Sequence, residues 1–179
     1  MLAGTEFLAS IHQWDVNAFH RILHAHKFQP IVKAAYWVSR SADGWPYPIM
    51  AALLFWLGLD ENLLFVSTLA LAFGLERTIY LLAKKGFKRR RPANILPNFR
   101  SLVIASDEFS FPSGHTSGAF LFVTTLVLAI DPAFSFLYIW SLAVGCSRVI
   151  LGVHFPTDIL MGALLGSTIA IISLGYVTA

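Results

Sequence analysis

The stretch SRVILGVHFPTD, residues 147–158, lies between two apolar runs that are each long enough to cross a lipid bilayer. It places an arginine, a histidine and an aspartate where a hydrocarbon environment makes ionisable side chains costly. Ionisable residues in such positions usually face other helices or a water-filled cavity, and they often carry function. The stretch therefore predicts a membrane helix bundle with a polar site at its rim.

The composition supports a membrane protein. The chain has 179 residues, of which 56% are hydrophobic and 13% are charged, and its mean hydropathy is +0.67. An ordinary soluble domain carries roughly a quarter charged residues. No linker, repeat or low-complexity tract divides the chain, so we expect residues 1–179 to form a single integral-membrane domain. The single cysteine, Cys146, excludes a disulfide framework within the chain.

The positive charge is concentrated in one segment. Seven of the thirteen lysines and arginines fall within residues 84–100. In a membrane protein such a cluster favours an anionic lipid headgroup or an anionic substrate. We expect membrane lipids and a lipid phosphate as partners, and no nucleic acid.

Apolar periodicity predicts an all-α, polytopic membrane bundle of about six helices. Residues 7–26 show apolar residues at helical spacing with Asp15 on the opposite, polar side, so residues 1–28 are predicted to be an amphipathic helix in the membrane interface. A polar loop is predicted over residues 84–113. The predicted spans, of which the first is short, cover residues 31–38, a run ending near residue 59, and residues 62–83, 118–130, 133–151 and 159–177.

Following the chain across the membrane brings three distant polar clusters to one face. If the span ending at residue 83 delivers Lys84 to that face, the next span starts there at His115. The following span returns with Arg148, and the last span leaves after His154 and Asp158. Span counting alone therefore predicts that these residues meet.

The residue types at this face suit a phosphate. Arginine binds phosphate oxygens through its planar fork, and lysine adds a point charge. The segment FPSGHTSG opens a helix, and the backbone N–H groups at a helix N-terminus attract anions. The predicted phosphate-binding residues are Lys84, Arg91, Ser113, Gly114 and Arg148.

Two histidines and an aspartate complete the predicted chemistry. Pro156 suits the first turn of a helix, which leaves His154 just outside that helix and Asp158 just within it. In that arrangement Asp158 can hold one imidazole nitrogen of His154 and make the other nucleophilic. His115 then remains to protonate a leaving oxygen.

The order and spacing of these motifs resemble the signature of the type 2 phosphatidic acid phosphatase family. The three parts are Lys84 followed after six residues by Arg91 and Pro92, then the PSGH segment at residues 112–115, then Ser147 and Arg148 followed by His154 and Asp158. That family shares its site with vanadium haloperoxidases and glucose-6-phosphatase. The resemblance by motif covers residues 84–166.

The resemblance implies a role for each site residue. His154 is expected to be the nucleophile that forms a phosphohistidine, Asp158 its orienting partner and His115 the acid for the leaving group. The five residues predicted to bind phosphate keep that role. The family uses no metal, so neither a metal nor another cofactor is expected, and Asp107, Glu108 and Asp158 show no recognisable ligand spacing.

Several questions stay open at the level of the sequence. The lipid can be phosphatidic acid, phosphatidylglycerol phosphate, a polyprenyl diphosphate or a lipid A phosphate. Lipid-to-lipid phosphotransfer, a vanadate-dependent haloperoxidase activity and a non-enzymatic lipid-binding or transport role are the alternatives to hydrolysis.

The orientation in the membrane is a separate question. The positive-inside rule favours a cytoplasmic site, whereas the resemblance favours the periplasmic face of a bacterial inner membrane. We expect the periplasmic face. The sequence leaves open the oligomeric state and the roles of Glu76 and Arg77.

Gly162 and Gly166 form a GxxxG pattern in the last span. This pattern can support dimerisation, but in a bundle this small we expect it to let a neighbouring helix of the same chain approach.

Overall fold

A computed structural model describes residues 2–23, 28–57, 62–105 and 107–179. Within these ranges the chain is helical and contains no β-strand, which confirms the predicted all-α class. Two short 3₁₀ segments, Pro92–Asn94 and Pro132–Leu137, lie in the connections. The described α-helices are α1 Leu2–Leu23, α2 Gln29–Arg40, α3 Pro46–Trp56, α4 Asn62–Phe87, α5 Gly114–Ala129, α6 Tyr138–Ile150 and α7 Pro156–Val177.

The helices have the length and surface of an integral membrane protein. In the part of the chain that the structure describes, three stretches are long and apolar enough to cross a bilayer: Leu63–Asn94, Pro132–Ile150 and Pro156–Val177. Helices α3 and α5 are apolar but shorter. Large apolar side chains such as Leu63, Ile139 and Leu160 are more than half exposed on the outside of the bundle, as expected where helices face lipid. The count of about six spanning helices stays a prediction.

Helix α5 is the centre of the bundle and packs most extensively against α7. The contact is close because Gly162 and Gly166 face the backbone of α5. A Cβ atom on Gly166 would clash with the carbonyl oxygen of Ser117, and one on Gly162 would lie 2.6 Å from that of Ser113. The GxxxG pattern therefore packs two helices of one chain together, as predicted, and it ties the start of α5 to the start of α7.

The N-terminal helix differs from its prediction in the orientation of one residue. The predicted segment was residues 1–28; α1 is described over Leu2–Leu23, and residues 1 and 24–27 of the predicted segment lie outside the described ranges. Asp15 was placed on the polar, outward side, yet it is fully buried. The reason is that Arg89 and Thr157 hold its carboxylate inside the protein. Its position in the membrane interface stays a prediction.

The predicted loop over residues 84–113 starts too early. Helix α4 continues to Phe87, so Lys84 lies on a helix. Lysines suit the last turn of a helix, where the carbonyl ends attract cations, and their long stems reach from an apolar surface to a polar one. The helix stops where Lys88 adopts a left-handed conformation with φ 48°.

Candidate active site

The corner between α6 and α7 places His154. Helix α6 ends at Ile150, and the chain turns through Gly152 at φ +79°, a conformation that favours glycine. A Cβ atom there would lie 2.5 Å from the ring of Phe99, so glycine is also required by space. The turn carries His154 into the protein, where the residue is 2% exposed.

Asp158 lies in the first turn of α7, as predicted, and is fully buried. Its Oδ2 atom accepts a hydrogen bond of 2.8 Å from the backbone N–H of Phe155, which caps the helix. The same oxygen lies 3.7 Å from Nδ1 of His154. This separation is longer than a hydrogen bond, and Nδ1 has no hydrogen-bond partner among the described residues.

The surroundings of His154 favour its neutral form. Burial lowers the pKa of its imidazole to about 3, because the loss of hydration and the charges of Arg148 and Arg91 together outweigh the carboxylate of Asp158. A neutral imidazole has a free electron pair on one ring nitrogen. His154 therefore has the protonation state that a nucleophile needs across the physiological pH range.

Arg91 lies against the other side of the His154 ring. Its Nη1 atom is 3.5 Å from Nε2 of His154 and donates a 2.7 Å hydrogen bond to the carbonyl of Val153. Its Nε atom donates a 3.0 Å hydrogen bond to the carbonyl of Asp107. These backbone contacts hold the guanidinium where it can bind an oxygen of a phosphoryl group on Nε2.

Asp107, for which the sequence predicted no role beyond excluding it as a metal ligand, joins two predicted phosphate-binding cations. Its Oδ1 atom accepts a hydrogen bond of 2.8 Å from Lys84 and another from Arg91, and its Oδ2 atom accepts one of 2.6 Å from the hydroxyl of Tyr80. Burial raises the pKa of this carboxyl, but the hydrogen bonds and charges of Lys84, Tyr80 and Arg91 outweigh that effect and lower it to about 2. The ionised carboxylate thus marks a position that suits an anion.

Arg148 projects from the last turn of α6 and is 7% exposed. Its Nη1 atom donates a 2.6 Å hydrogen bond to the hydroxyl of Ser39 on α2. Its Nε atom is buried without a hydrogen-bond partner among the described residues. A buried guanidinium N–H without a partner is costly, so this donor is suited to an incoming phosphate oxygen.

Ser113 and Gly114 start α5 as predicted, with differences in detail. Ser113 occupies the N-cap position, but its hydroxyl lies 2.9 Å from that of Thr116 and makes no capping hydrogen bond to the backbone. Its own N–H donates a 3.0 Å hydrogen bond to the carbonyl of Asp158. Gly114 leaves room for the ring of Tyr80, which would lie 2.9 Å from a Cβ atom there.

His115 lies beside an apolar cavity. Its Nε2 atom is 2.9 Å from Oδ1 of Asp43, a residue in the turn between α2 and α3. The cavity has a volume of about 1020 Å³, and Gly114 and His115 line it together with residues of α3 and α4. No hydrogen bond or ion pair within the described ranges joins the two histidines.

The structure therefore brings most predicted site residues to one end of the bundle. The cluster includes Arg91, His154 and Asp158. Lys84 joins it through Asp107, and Ser113 joins it through the hydrogen bond from its N–H to the carbonyl of Asp158. Arg77, which with Glu76 lines the cavity, stacks 5.2 Å from the ring of Tyr80. Within the described residues, no group of three or more histidine, cysteine or acidic side chains is arranged to hold a metal ion.

The acidic partners were missed by sequence reasoning. Asp43 stands in a Gly- and Pro-rich turn, and Asp107 stands in the cation-rich loop that follows α4. The signal available for Asp107 was the need to balance so many buried positive charges. Asp15 offered no such signal, because an acid on an amphipathic helix is ordinarily exposed.

Comparisons with known proteins find relatives along most of the chain. The PAP2 superfamily model matches residues 63–179. Phosphatidylglycerophosphatase B of Bacillus subtilis (strain 168) is 33% identical over 117 residues, which cover 59% of this chain and 55% of that protein. Undecaprenyl-diphosphatase of Sulfolobus acidocaldarius is 32% identical over 108 residues, which cover 59% of this chain and 52% of that protein. The chain thus spans little more than half the length of these curated relatives.

The fold comparison extends further along the chain. The crystal structure of Aquifex aeolicus LpxE superposes with a TM-score of 0.78 at 28% identity, covering 90% of this chain and 94% of that one. The match of the family model includes α4 to α7, which carry Lys84, His115, Arg148 and Asp158. On this sequence match, and with the fold in agreement, the chain belongs to the PAP2 superfamily.

Proposed function

We propose that this protein is a metal-independent lipid phosphate phosphatase that acts through a phosphohistidine on His154. The observation that carries the proposal is the setting of that residue. A buried imidazole has Arg91 3.5 Å from Nε2 and Asp158 3.7 Å from Nδ1. A nucleophile between an anion-binding group and an orienting carboxylate is the arrangement that phosphoryl transfer requires.

The proposed reaction has two steps. Nε2 of His154 attacks phosphorus, the bond from phosphorus to the leaving oxygen breaks, and His115 gives that oxygen a proton. Arg91, Arg148 and Lys84 stabilise the charge on the remaining phosphoryl oxygens. Water then attacks the phosphohistidine, inorganic phosphate leaves, and the proton lost by that water returns to His115. Asp158 stabilises the positive charge that develops on the imidazole in the first step.

The cavity supports a lipid as the substrate. Its walls include Tyr47, Phe55, Val66 and Phe73, and it reaches His115 at its polar end. An acyl or prenyl chain can lie in this space while the phosphate reaches His154. Names of relatives point to phosphatidylglycerol phosphate and undecaprenyl diphosphate as first candidates, and phosphatidic acid and lipid A phosphates belong in the same panel. Transfer to an acceptor lipid is the alternative outcome of the same intermediate.

A panel assay tests the proposal. Purified protein in detergent should release phosphate from at least one of these lipids in the presence of EDTA, and orthovanadate should inhibit that release, since vanadate takes up the five-coordinate geometry of transferring phosphorus. His154→Ala, the matched control, should release none. Loss of turnover in EDTA that a divalent ion restores would contradict the mechanism. Phosphate appearing on a second lipid instead of in solution would establish phosphotransfer.

We further propose that the protein resides in a bacterial inner membrane with its site on the periplasmic side. Asn98 is exposed in the loop that follows α4, so Asn98→Cys offers a label there. Cys146 is exposed and must first be replaced by serine. An impermeant maleimide should label the variant in intact cells. Protection until the cells are lysed would place the site in the cytoplasm.

A further inference from the structure

The N-terminal helix contributes a buried carboxylate to the region behind His154. Asp15 lies on α1, outside residues 63–179 that the family model matches, and is fully buried. Its Oδ1 atom accepts a 3.0 Å hydrogen bond from the backbone N–H of Thr157, and its Oδ2 atom accepts one from the hydroxyl of the same residue. The remaining partner of Oδ2 is Nη2 of Arg89. A charge buried this completely requires such partners.

Arg89 connects this carboxylate to Asp158. Its Nη1 atom donates hydrogen bonds of 2.7 Å to Oδ1 of Asp158 and to the hydroxyl of Thr157. Its guanidinium lies 4.6 Å from the centre of the Phe155 ring, a cation–π contact. Asp158 therefore binds Nη1 and Asp15 binds Nη2 of the planar Arg89 guanidinium, which fixes the orientation of all three side chains.

The charges of this group explain why a second acid is present. If Asp15 were absent, the positive charge of Arg89 would cancel the negative charge of Asp158. Little electrostatic stabilisation would then remain for a positively charged His154. Asp15 offsets Arg89, so two carboxylates and one guanidinium leave a net charge of one negative beside the imidazole. Because both carboxylates are fully buried, the remaining charge acts strongly on its neighbour.

We propose that Asp15 is a positioning residue for the reaction at His154. Acting through Arg89, it holds Asp158 in place and keeps the negative charge of Asp158 available to the imidazole, so that α1 is part of the active site. This inference rests on the proposed function of His154 as the nucleophile and of Asp158 as its partner.

An apolar contact holds α1 in place independently of Asp15. Phe19 is fully buried, with its ring centre 5.6 Å from that of Phe155 and 5.2 Å from that of Phe99. The ring of His12 makes a further edge contact with Phe155 at 6.0 Å. Since this packing does not involve the carboxylate, an amide at position 15 should leave α1 docked.

A double-mutant cycle tests the proposal. Asp15→Asn should lower kcat by roughly tenfold to a hundredfold, as loss of an outer hydrogen-bond partner of a functional histidine does, with little change in KM. Asp158→Asn should lower kcat further. The double variant should be no slower than Asp158→Asn alone, because Asp15 acts only through Asp158. Glu6→Gln, the same change at an exposed site on the same helix, should keep wild-type kcat.

Two outcomes would overturn the inference: wild-type kcat in Asp15→Asn, or a loss in the double variant equal to the product of the two single losses. Wild-type kcat in Asp158→Asn would instead contradict the proposed function. If Asp15→Asn does not yield folded protein, Arg89→Lys decides, since lysine keeps the charge but cannot grip both carboxylates. It should lower kcat by a similar factor, and a value equal to that of the exposed control Arg21→Lys would also overturn the inference.

Discussion

The two histidines of the site have the same kind of partner in opposite settings. The side chain of His154 is 3% exposed and its partner Asp158 is fully buried, whereas the side chains of His115 and Asp43 are 25% and 34% exposed. His154 lies beside Arg91 at the corner between α6 and α7, and His115 lines an apolar cavity. A dry, fixed and neutral imidazole suits a nucleophile, while a wetter one that can exchange protons suits an acid. Environment rather than residue type thus separates the proposed roles.

Exchange of the leaving group tests this separation with the largest expected effect. His154→Ala should abolish turnover of a lipid phosphate and of an aryl phosphate, because the nucleophile is needed whatever departs. His115→Ala should lose about 10²-fold to 10⁴-fold on the lipid and much less on the aryl phosphate, whose leaving group is already a stable anion. Rates of phosphate release from both substrates measure the difference. Equal losses for both variants on both substrates would show that the roles are not divided.

The partner of His115 should matter less than His115 itself. Asp43→Asn keeps a hydrogen-bond acceptor 2.9 Å from Nε2 but removes the charge that stabilises a protonated imidazole. We expect kcat on the lipid phosphate to fall about tenfold, with turnover of the aryl phosphate nearly unchanged. A uniform loss on both substrates would indicate that Asp43 maintains the fold of the turn instead. Asp131→Asn, at an N-cap on another connection, is a control for acid-to-amide exchange.

Filling the cavity should produce a smaller, substrate-dependent effect. Ala70, a residue of α4, lines the cavity. The phenylalanine side chain of Ala70→Phe would fill space that the proposed lipid chain occupies. Crowding of this kind costs about 1 kcal/mol or more, so KM for a long-chain lipid phosphate should rise roughly fivefold. KM for a short-chain analogue should stay the same. Leu164→Phe, on an exposed face of α7, is the control, and equal KM values for the long-chain lipid in both variants would remove the cavity from the substrate path.

For the last test, a change of pH, we expect no change in the protonation of His154. Because burial lowers the pKa of His154 to about 3, its imidazole should stay neutral from pH 8 down to about pH 5, while an unperturbed histidine would gain its proton near pH 6.5. Nitrogen NMR of histidine-labelled protein, with the signal assigned by its absence in His154→Gln, follows this directly. A midpoint near pH 6.5 would show that burial does not hold His154 in its neutral form and would contradict its assignment as a dry, neutral nucleophile.

Local pattern was sufficient to predict one half of the site. Pro156 marks the start of α7, so the position of Asp158 in its first turn and of His154 just before it follow from neighbouring residues alone. The start of α5 at Gly114 follows in the same way from Ser113. The meeting of these segments was also predictable, because each crossing of a membrane alternates the face on which a helix ends. Among these segments, the end of α4 was misjudged, since lysines can extend an apolar helix.

The positions of the acidic partners, Asp43 and Asp15, were decided by tertiary packing alone. Asp43 meets His115 across 72 positions of the chain, and Asp15 meets Thr157 across 142. No periodicity links such pairs, and the amphipathic pattern of α1 pointed Asp15 the wrong way. Its burial depends on Phe19 docking against the corner between α6 and α7, and on Arg89 reaching the same place from the loop after α4. The sequence by itself determined which cations and histidines stand at the rim, because short motifs and helix ends set those positions. Only the tertiary structure decided which carboxylates balance them, because a buried charge takes its partner from whichever segment packs within reach.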